Sequence, residues 1–317
     1  MSFSSEVKEE LLKTEVKARH CKIAELSAIL SFCAKVMVDE ENNYQLLIHV
    51  ENEIVAERLK MLLESLFSPD LCEKIKEISH SGKRFSKEII IDNHTDCVVI
   101  LQTIKLLDSY GNLEEQTRTI HQIVLQSTCC KRAFLRGAFL AAGSISAPDK
   151  KYHFEIVCRG YEQASQIMGI MNFFELDSKI VKRKKYYIVY VKEGEKIVDS
   201  LNVMGAYVSL MNLENIRIVK DVRNQVNRQV NCETANIKKT VSAAIKQKED
   251  ILYLQAHNEF HKLPQNLQEI ANLRLEYPTA SLQKLGQKLD PPVGKSGVNH
   301  RLRKISLIAE DIRNGKR

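Results

Sequence analysis

The chain has 317 residues, 44% hydrophobic and 27% charged, the balance of an ordinary globular protein with room for two domains. Charge is uneven: residues 1–130 hold 15 Lys/Arg against 21 Asp/Glu, residues 131–220 hold 15 against 9, and residues 221–317 hold 17 against 10. No run approaches the roughly 18 apolar residues of a membrane span, and Met1-Ser-Phe-Ser-Ser-Glu6 is not a basic-then-apolar signal, so a cytoplasmic chain without membrane contact is expected.

An acidic helical pattern opens the chain. A helix rich in small residues follows, with Ala24, Ser27, Ala28, Ser31 and Ala34. Tyr44–Val50 reads as a strand and runs into an amphipathic helix over Glu53–Phe67. Strands are expected around Lys74–His80 and Lys87–Asp92, with a turn at Gly82, then a helix over Asp96–Ser109. The strand-and-helix pair returns 108 residues later, as Tyr152–Cys158 and the helical run Tyr161–Leu176. Before it lies a second small-residue helix, with Ala133, Gly137, Ala138, Ala141, Ala142 and Gly143. After it come strands around Lys179–Arg183 and Tyr186–Lys192 and a helix over Glu195–Val203. The residues thus read as a helix-strand-helix-strand-strand-helix unit present twice, in copies of about 1–125 and 126–220. Small residues every three or four positions let two helix backbones approach closely, which suits a pseudo-twofold helix pair.

From Asp221 to Leu254 the chain reads as a polar, mainly helical connector, about 221–255. Asn224, Asn227, Asn231 and Asn236 suggest hydrogen bonds to the neighbouring domain or to phosphates. Pro264 fits the first turn of a helix ending near Tyr277, where Pro278 stops it. Ser281 is a fitting N-cap for a short helix with Leu282, Leu285 and Leu289 on one face. Asp290-Pro-Pro-Val-Gly-Lys-Ser296 reads as the turn into a third helix whose apolar stripe is Val298, Leu302, Ile305, Ala309 and Ile312. At about 100° per residue, Ser296, His300 and Arg303 point away from that stripe, Asn299 and Lys304 lie on its flanks, and Arg301 sits nearer the core edge.

This is the pattern of a helix-turn-helix over residues 256–317, with hydrogen-bonding side chains for base edges and cations for phosphates. The expected DNA-contacting residues are Ser281, Lys284, Lys295, Ser296, Asn299, His300, Arg301, Arg303 and Lys304. A three-helix bundle with a solvated basic face is the alternative. Lys182, Arg183, Lys184 and Lys185, beside Tyr186, Tyr187 and Tyr190, are auxiliary phosphate contacts or a solvated hairpin tip.

Eight scattered cysteines (Cys21, Cys33, Cys72, Cys97, Cys129, Cys130, Cys158 and Cys232) include no C-x-x-C pair. They read as reduced thiols, with no metal site and no cofactor expected. His257 and His261 have zinc-like i, i+4 spacing but lack the H-E-x-x-H order and a third ligand, so they read as helix surface. Neither a phosphate-binding G-x-x-x-x-G-K-[ST] loop nor a G-x-S-x-G elbow is present.

Leu135-Arg-Gly-Ala-Phe-Leu-Ala-Ala-Gly143 resembles the LAGLIDADG motif of homing endonucleases, and Leu26-Ser-Ala-Ile-Leu-Ser-Phe-Cys-Ala34 is a weaker copy. The resemblance implies an α+β architecture: a duplicated αββαββα-type domain over 1–220, followed by an all-α helix-turn-helix domain. In those enzymes an acid near the end of each motif helix holds the divalent metals that activate water. Cys33 and Ala142 stand at these positions, so no catalytic residue is expected. A displaced acidic site on Asp39, Glu40, Glu41 and Asp149 is the alternative.

The opening Met1–Leu11, Asn227–Asn236, Ser281-Leu-Gln-Lys-Leu-Gly286 and Gly297–Lys304 are similar to WhiA proteins. That resemblance implies a nucleoid-associated, sequence-specific transcriptional regulator of cell division, chromosome segregation and, in spore formers, sporulation. Its partners would be double-stranded DNA and a protein docked on the duplicated domain; some members act with a WhiB-type iron–sulfur protein. A division-protein adaptor with incidental DNA binding and a residual metal-dependent nuclease are the competing readings.

Overall fold

The structure is a computed structural model that describes residues 2–79, 85–107, 119–148 and 150–315. Gly82, Ser109 and Asp149 lie outside the described residues. The chain divides into two compact units, Met1–Lys220 and Asp221–Arg317.

The first unit holds the two copies. After α1 (Phe3–Leu12), copy one comprises α2 (Arg19–Cys33), β1 (Ala34–Val38), β2 (Tyr44–Val50), α3 (Glu53–Leu66), α4 (Pro69–Glu73), β3 (Lys76–Ser79), β4 (Lys87–Ile91) and α5 (His94–Thr103). Copy two comprises α6 (Thr128–Ala142), β5 (Gly143–Ile145), β6 (Phe154–Cys158), α7 (Tyr161–Phe173), β7 (Lys179–Arg183), β8 (Tyr186–Val191) and α8 (Gly194–Met204). Each copy forms a four-stranded antiparallel sheet, in the order β1-β2-β4-β3 and, equivalently, β5-β6-β8-β7. The sheets are amphipathic. Leu46, Ile48, Val50, Ile89 and Ile91 bury one face of the first, and Phe154, Ile156, Cys158, Val189 and Val191 one face of the second, as period-two alternation dictates.

The α+β class with αββαββα copies is what the structure has; the residue patterns alone had one strand fewer per copy. The missing strand follows each motif helix without a loop. Ala34 and Gly143 already adopt extended backbone (φ −94°, ψ 152° and φ −86°, ψ 151°). So Ala34 and Gly143, read as helical small residues, begin β1 and β5. Their pattern hides them, because β1 is a largely exposed edge and β5 has three residues. Helix α4 was also unread; it is a single turn capped by Ser68.

The motif helices α2 and α6 pack along each other at the centre of the unit. A Cβ on Gly137 would sit 2.5 Å from the Glu25 carbonyl oxygen and 2.9 Å from the Ala28 Cβ, so glycine is what permits this approach. At the same contact lies a buried ion cluster. Glu25 Oε1 accepts from Arg58 Nε at 2.7 Å, and Glu25 Oε2 accepts from Arg58 Nη2 at 3.1 Å and from Arg136 Nε at 3.0 Å. The spare guanidinium donors reach the carbonyls of Leu12 and Met204. Glu25, Arg58 and Arg136 come from α2, α3 and α6, so one carboxylate ties both copies together.

Helix α9 runs unbroken for 50 residues, Tyr207–Ala256. The expected connector starting at Asp221 is therefore the second half of a longer helix. Left-handed Gly205 (φ 90°) ends α8, no glycine or proline interrupts residues 207–256, and the asparagines only lower helical propensity. The Glu10 carboxylate caps its start, accepting from the Val208 and Ser209 amides at 2.7 and 2.8 Å, which suits an acid at a helix N-terminus.

In the second unit α10 (Gln265–Glu276), α11 (Leu282–Gln287) and α12 (Lys295–Arg313) close over the end of α9. Ile251 and Leu254 join Leu267, Ile270, Leu285, Val298, Leu302, Ile305 and Ala309 in one core. Helix α9 ends before His257, and His261 lies in a short 3-10 turn (Phe260–Lys262), so these two histidines do not share a helix face. His257 Nδ1 instead lies 2.9 Å from the Tyr253 carbonyl oxygen. Among the described residues no helix is long and apolar enough to cross a membrane.

Candidate nucleic-acid interface

Three local features set the α11–turn–α12 element. Ser281 caps α11, its hydroxyl accepting from the Lys284 amide at 3.3 Å. The turn folds back on α11, the Val293 amide donating to the Gly286 carbonyl at 2.9 Å. A Cβ on Gly286 would meet the Val293 carbonyl oxygen at 1.9 Å, so no other residue fits without moving the turn. Helix α12 then starts at Lys295 behind Gly294, which offers no side-chain cap. Lys295 and Ser296, read as turn, are its first residues: the turn spans Lys288–Gly294, two residues earlier than the sequence reading.

The unpaired amides of that first turn and the helix dipole favour an anion, and Lys295 and Ser296 flank them. Along α12, Lys295, Ser296, Asn299, His300, Arg303 and Lys304 are exposed, Arg301 is half-buried, and Val298, Leu302, Ile305 and Ala309 are buried. Ser281 and Lys284 on α11 are also exposed. The helix thus carries cations and hydrogen-bonding side chains on a face held outward by the core behind it. Two contacts fix its carrier. Arg313 Nη1 donates to Asp250 Oδ1 at 2.7 Å, and buried Arg274 donates to the Ala280 carbonyl at 2.8 Å, bracing the α10–α11 corner.

Lys182, Arg183, Lys184 and Lys185 sit at the end of the β7–β8 hairpin, all exposed, with Lys184 left-handed at φ 57°. Lys182 and Lys185 lie over the rings of Tyr187 and Tyr186 at 5.6 and 5.4 Å. At the C-terminal ends of the motif helices, half-buried Cys33 and Ala142 replace acids. Lys8 reaches into this place, its ammonium donating to the Leu140 carbonyl at 2.9 Å. Burial holds the Lys8 ammonium down at about 8 and pushes the Cys33 thiol up to about 11. A cation at two helix C-termini suits the helix dipole, whereas a magnesium ion there would need oxygen anions. Asp39 spends its carboxylate locally, on the Glu41 and Asn43 amides.

Family comparison agrees with this arrangement. A model of the WhiA C-terminal HTH domain matches residues 226–309, and one of the WhiA LAGLIDADG-like domain matches residues 131–223. The chain is 48% identical to a probable cell division protein WhiA of Lachnoclostridium phytofermentans, over 99% of its own length and 100% of the relative's. The chain belongs to the WhiA family. A WhiA relative from Alkaliphilus oremlandii is 43% identical over 100% of this chain and 99% of its own. The crystal structure of full-length WhiA from Thermatoga maritima superimposes with a TM-score of 0.59 at 25% identity, covering 98% of each chain.

Sequence reasoning missed the charged residues that hold this WhiA scaffold rigid: Glu25, Asp250 and Arg274. Each occupies an apolar-stripe position. Arg274 continues Leu267, Ile270 and Ala271, and Asp250 precedes Ile251 and Leu254. A charge on a helix's buried face signals a paired, positioning group, and that signal was legible. The scattered-cysteine reading also changes in three dimensions, since His20, Cys21, Cys129 and Cys130 converge.

Proposed function

We propose that this chain is a sequence-specific, double-stranded-DNA-binding transcriptional regulator acting in cell division. One observation carries the reading: a core-backed helix exposes Lys295, Ser296, Asn299, His300, Arg303 and Lys304 together. Phosphates take the lysines, the arginines and the free amides of the first turn. Asn299 and His300 supply the hydrogen bonds that read base edges. Residues 256–317 form the DNA-binding module, 221–255 its helical connector, and 1–220 a domain for positioning or protein contacts. The Lys182–Lys185 hairpin adds phosphate contacts. Names of relatives supply the link to cell division; roles in chromosome segregation and sporulation, and a cytoplasmic location on the nucleoid, extend it.

Mapping of bound sites along the chromosome tests this. Discrete peaks are expected, and they should flatten in an Asn299→Ala, His300→Ala variant, since each lost base contact costs about 1–3 kcal/mol of discrimination. Uniform coverage would reject sequence-specific binding. If full-length protein lacking the Arg303 and Lys304 charges still restored division, the adaptor reading would replace this one.

The duplicated domain is proposed to be non-catalytic, on the strength of Cys33, Ala142 and the Lys8 ammonium at the helix ends. Supercoiled plasmid incubated with the protein and Mg²⁺ or Mn²⁺ should stay intact; metal-dependent nicking would overturn this.

A further inference from the structure

The motif helices bring a second cluster together at their other ends. His20 and Cys21 are the second and third residues of α2, and Cys129 and Cys130 the second and third of α6. The pairs are 109 residues apart, the spacing that separates Leu26 from Leu135, so they are equivalent positions about the pseudo-dyad. One ligand atom from each of the four residues lies within 4.8 Å of all the others. We propose that His20, Cys21, Cys129 and Cys130 form a structural zinc site.

The distances fit a tetrahedron. With Zn–N about 2.05 Å and Zn–S about 2.3 Å, tetrahedral angles require N···S separations of about 3.6 Å. His20 Nδ1 lies 3.1 Å from Cys130 Sγ, 3.4 Å from Cys21 Sγ and 4.0 Å from Cys129 Sγ. The metal enters between an imidazole nitrogen and three sulfurs already spaced for it. Three thiolates and one imidazole are a donor set that zinc prefers and magnesium or calcium does not.

Charge and access agree. Zinc displaces three thiol protons, leaving the site with one negative charge. That charge sits on the first turns of two helices, neither of which has a side-chain cap, where the helix dipoles stabilise it. Cys21 and Cys130 are buried, whereas His20 and Cys129 are exposed, so an ion can enter from solvent. Beside them opens a cavity of about 230 Å³, lined by His20 and Cys130 and also by Lys105, whose ammonium opposes the site's charge. Because the ligands come half from each copy, the ion would pin the two copies at one end of the helix pair, and Lys8 and Cys33 occupy the other. It would also explain two adjacent cysteines at a helix start, for which packing gives no reason.

The test uses the full-length protein, stripped by chelation under reducing conditions and titrated with Co²⁺, then Zn²⁺. One equivalent of Co²⁺ should give the visible bands of a tetrahedral thiolate site and a sulfur-to-cobalt charge-transfer band, and Zn²⁺ should displace it. Cys129→Ser, at an exposed position, should lower the charge-transfer intensity by about one third. His20→Asn should keep that intensity but lose at least about 100-fold in zinc affinity, more than a change outside the ligand sphere costs. Cys72→Ser should leave everything unchanged. Pale, octahedral cobalt in the natural protein, or Cys129→Ser and His20→Asn variants that bind like it, would overturn the proposal.

Discussion

Replacing Arg301, Arg303 and Lys304 with alanine should weaken DNA binding chiefly by removing salt-sensitive contacts. Arg303 and Lys304 are exposed and Arg301 is half-buried, so two to three phosphate contacts are at stake. Each contact contributes about 0.9 to the slope of log affinity against log salt, so the slope should flatten by about 1.8 to 2.7. Raising salt from about 50 to about 200 mM should therefore cost the variant about 10- to 40-fold less affinity than it costs the natural protein. Fluorescence anisotropy on one duplex across a salt series reads this directly. The same series on a variant with Lys182, Arg183, Lys184 and Lys185 changed to serine shows how much of the slope belongs to the hairpin. An unchanged slope in the α12 variant, with far-ultraviolet circular dichroism showing it folded, would refute the assignment. The phosphates would then be held elsewhere.

Three further outcomes follow from packing and charge. Gly286→Ala should destabilise the C-terminal unit by at least about 1–3 kcal/mol, because the new methyl meets the Val293 carbonyl at 1.9 Å; unchanged urea unfolding would contradict this close approach. Glu25→Gln should cost about 3–5 kcal/mol, since Arg58 and Arg136, 3% and 8% exposed, would lose their shared carboxylate. A loss under 1 kcal/mol, about the worth of an exposed pair, would show the cluster is not held in low dielectric. Lys8 makes stability depend on pH. Folding lowers it from 10.5 to about 8, so between those values the unfolded chain binds a proton that the folded chain lacks, and its contribution to stability rises with pH. Below about 8 the burial penalty is fully present. Relative to Lys8→Met, the natural protein should gain stability from pH 8 to 10.5 in chemical denaturation; a flat difference would place the ammonium in water.

The fold was legible where side chains repeat with the period of their element. Tyr44–Val50 and Tyr152–Cys158 alternate because one face of each sheet is buried, and the apolar stripe of α12 fixes which residues face out. What failed was edges and endings. Strand β1 is an exposed edge, so burial leaves no alternation in Ala34–Val38. Helix α9 runs past the expected start of the connector because a helix stops at glycine or proline, and neither interrupts it. In the candidate interface the exposed face could be read from helical angles, while Gly286 could not, since its role depends on a carbonyl brought back by the turn. The converging histidine and cysteines were invisible for a deeper reason: ligands 109 residues apart become neighbours only through a helix pair whose register no local pattern encodes.

That helix pair organises the first unit more than any surface does. Gly137 sets how closely α2 and α6 approach, and Glu25 with its two arginines locks their register at mid-length. Where the helices end, a nuclease needs two carboxylates aimed at a shared metal; here a thiol, a methyl and a lysine ammonium stand instead. Restoring acids at Cys33 and Ala142 alone would not rebuild a metal site. The Lys8 ammonium would pair with the new carboxylates and hold the place a dication needs, because an ion pair formed in a half-buried pocket competes with metal binding. Loss of the chemistry is therefore a change of charge as well as of ligands. A scaffold whose helix ends are neutralised by its own lysine is a rigid frame, which is what presenting a partner surface requires.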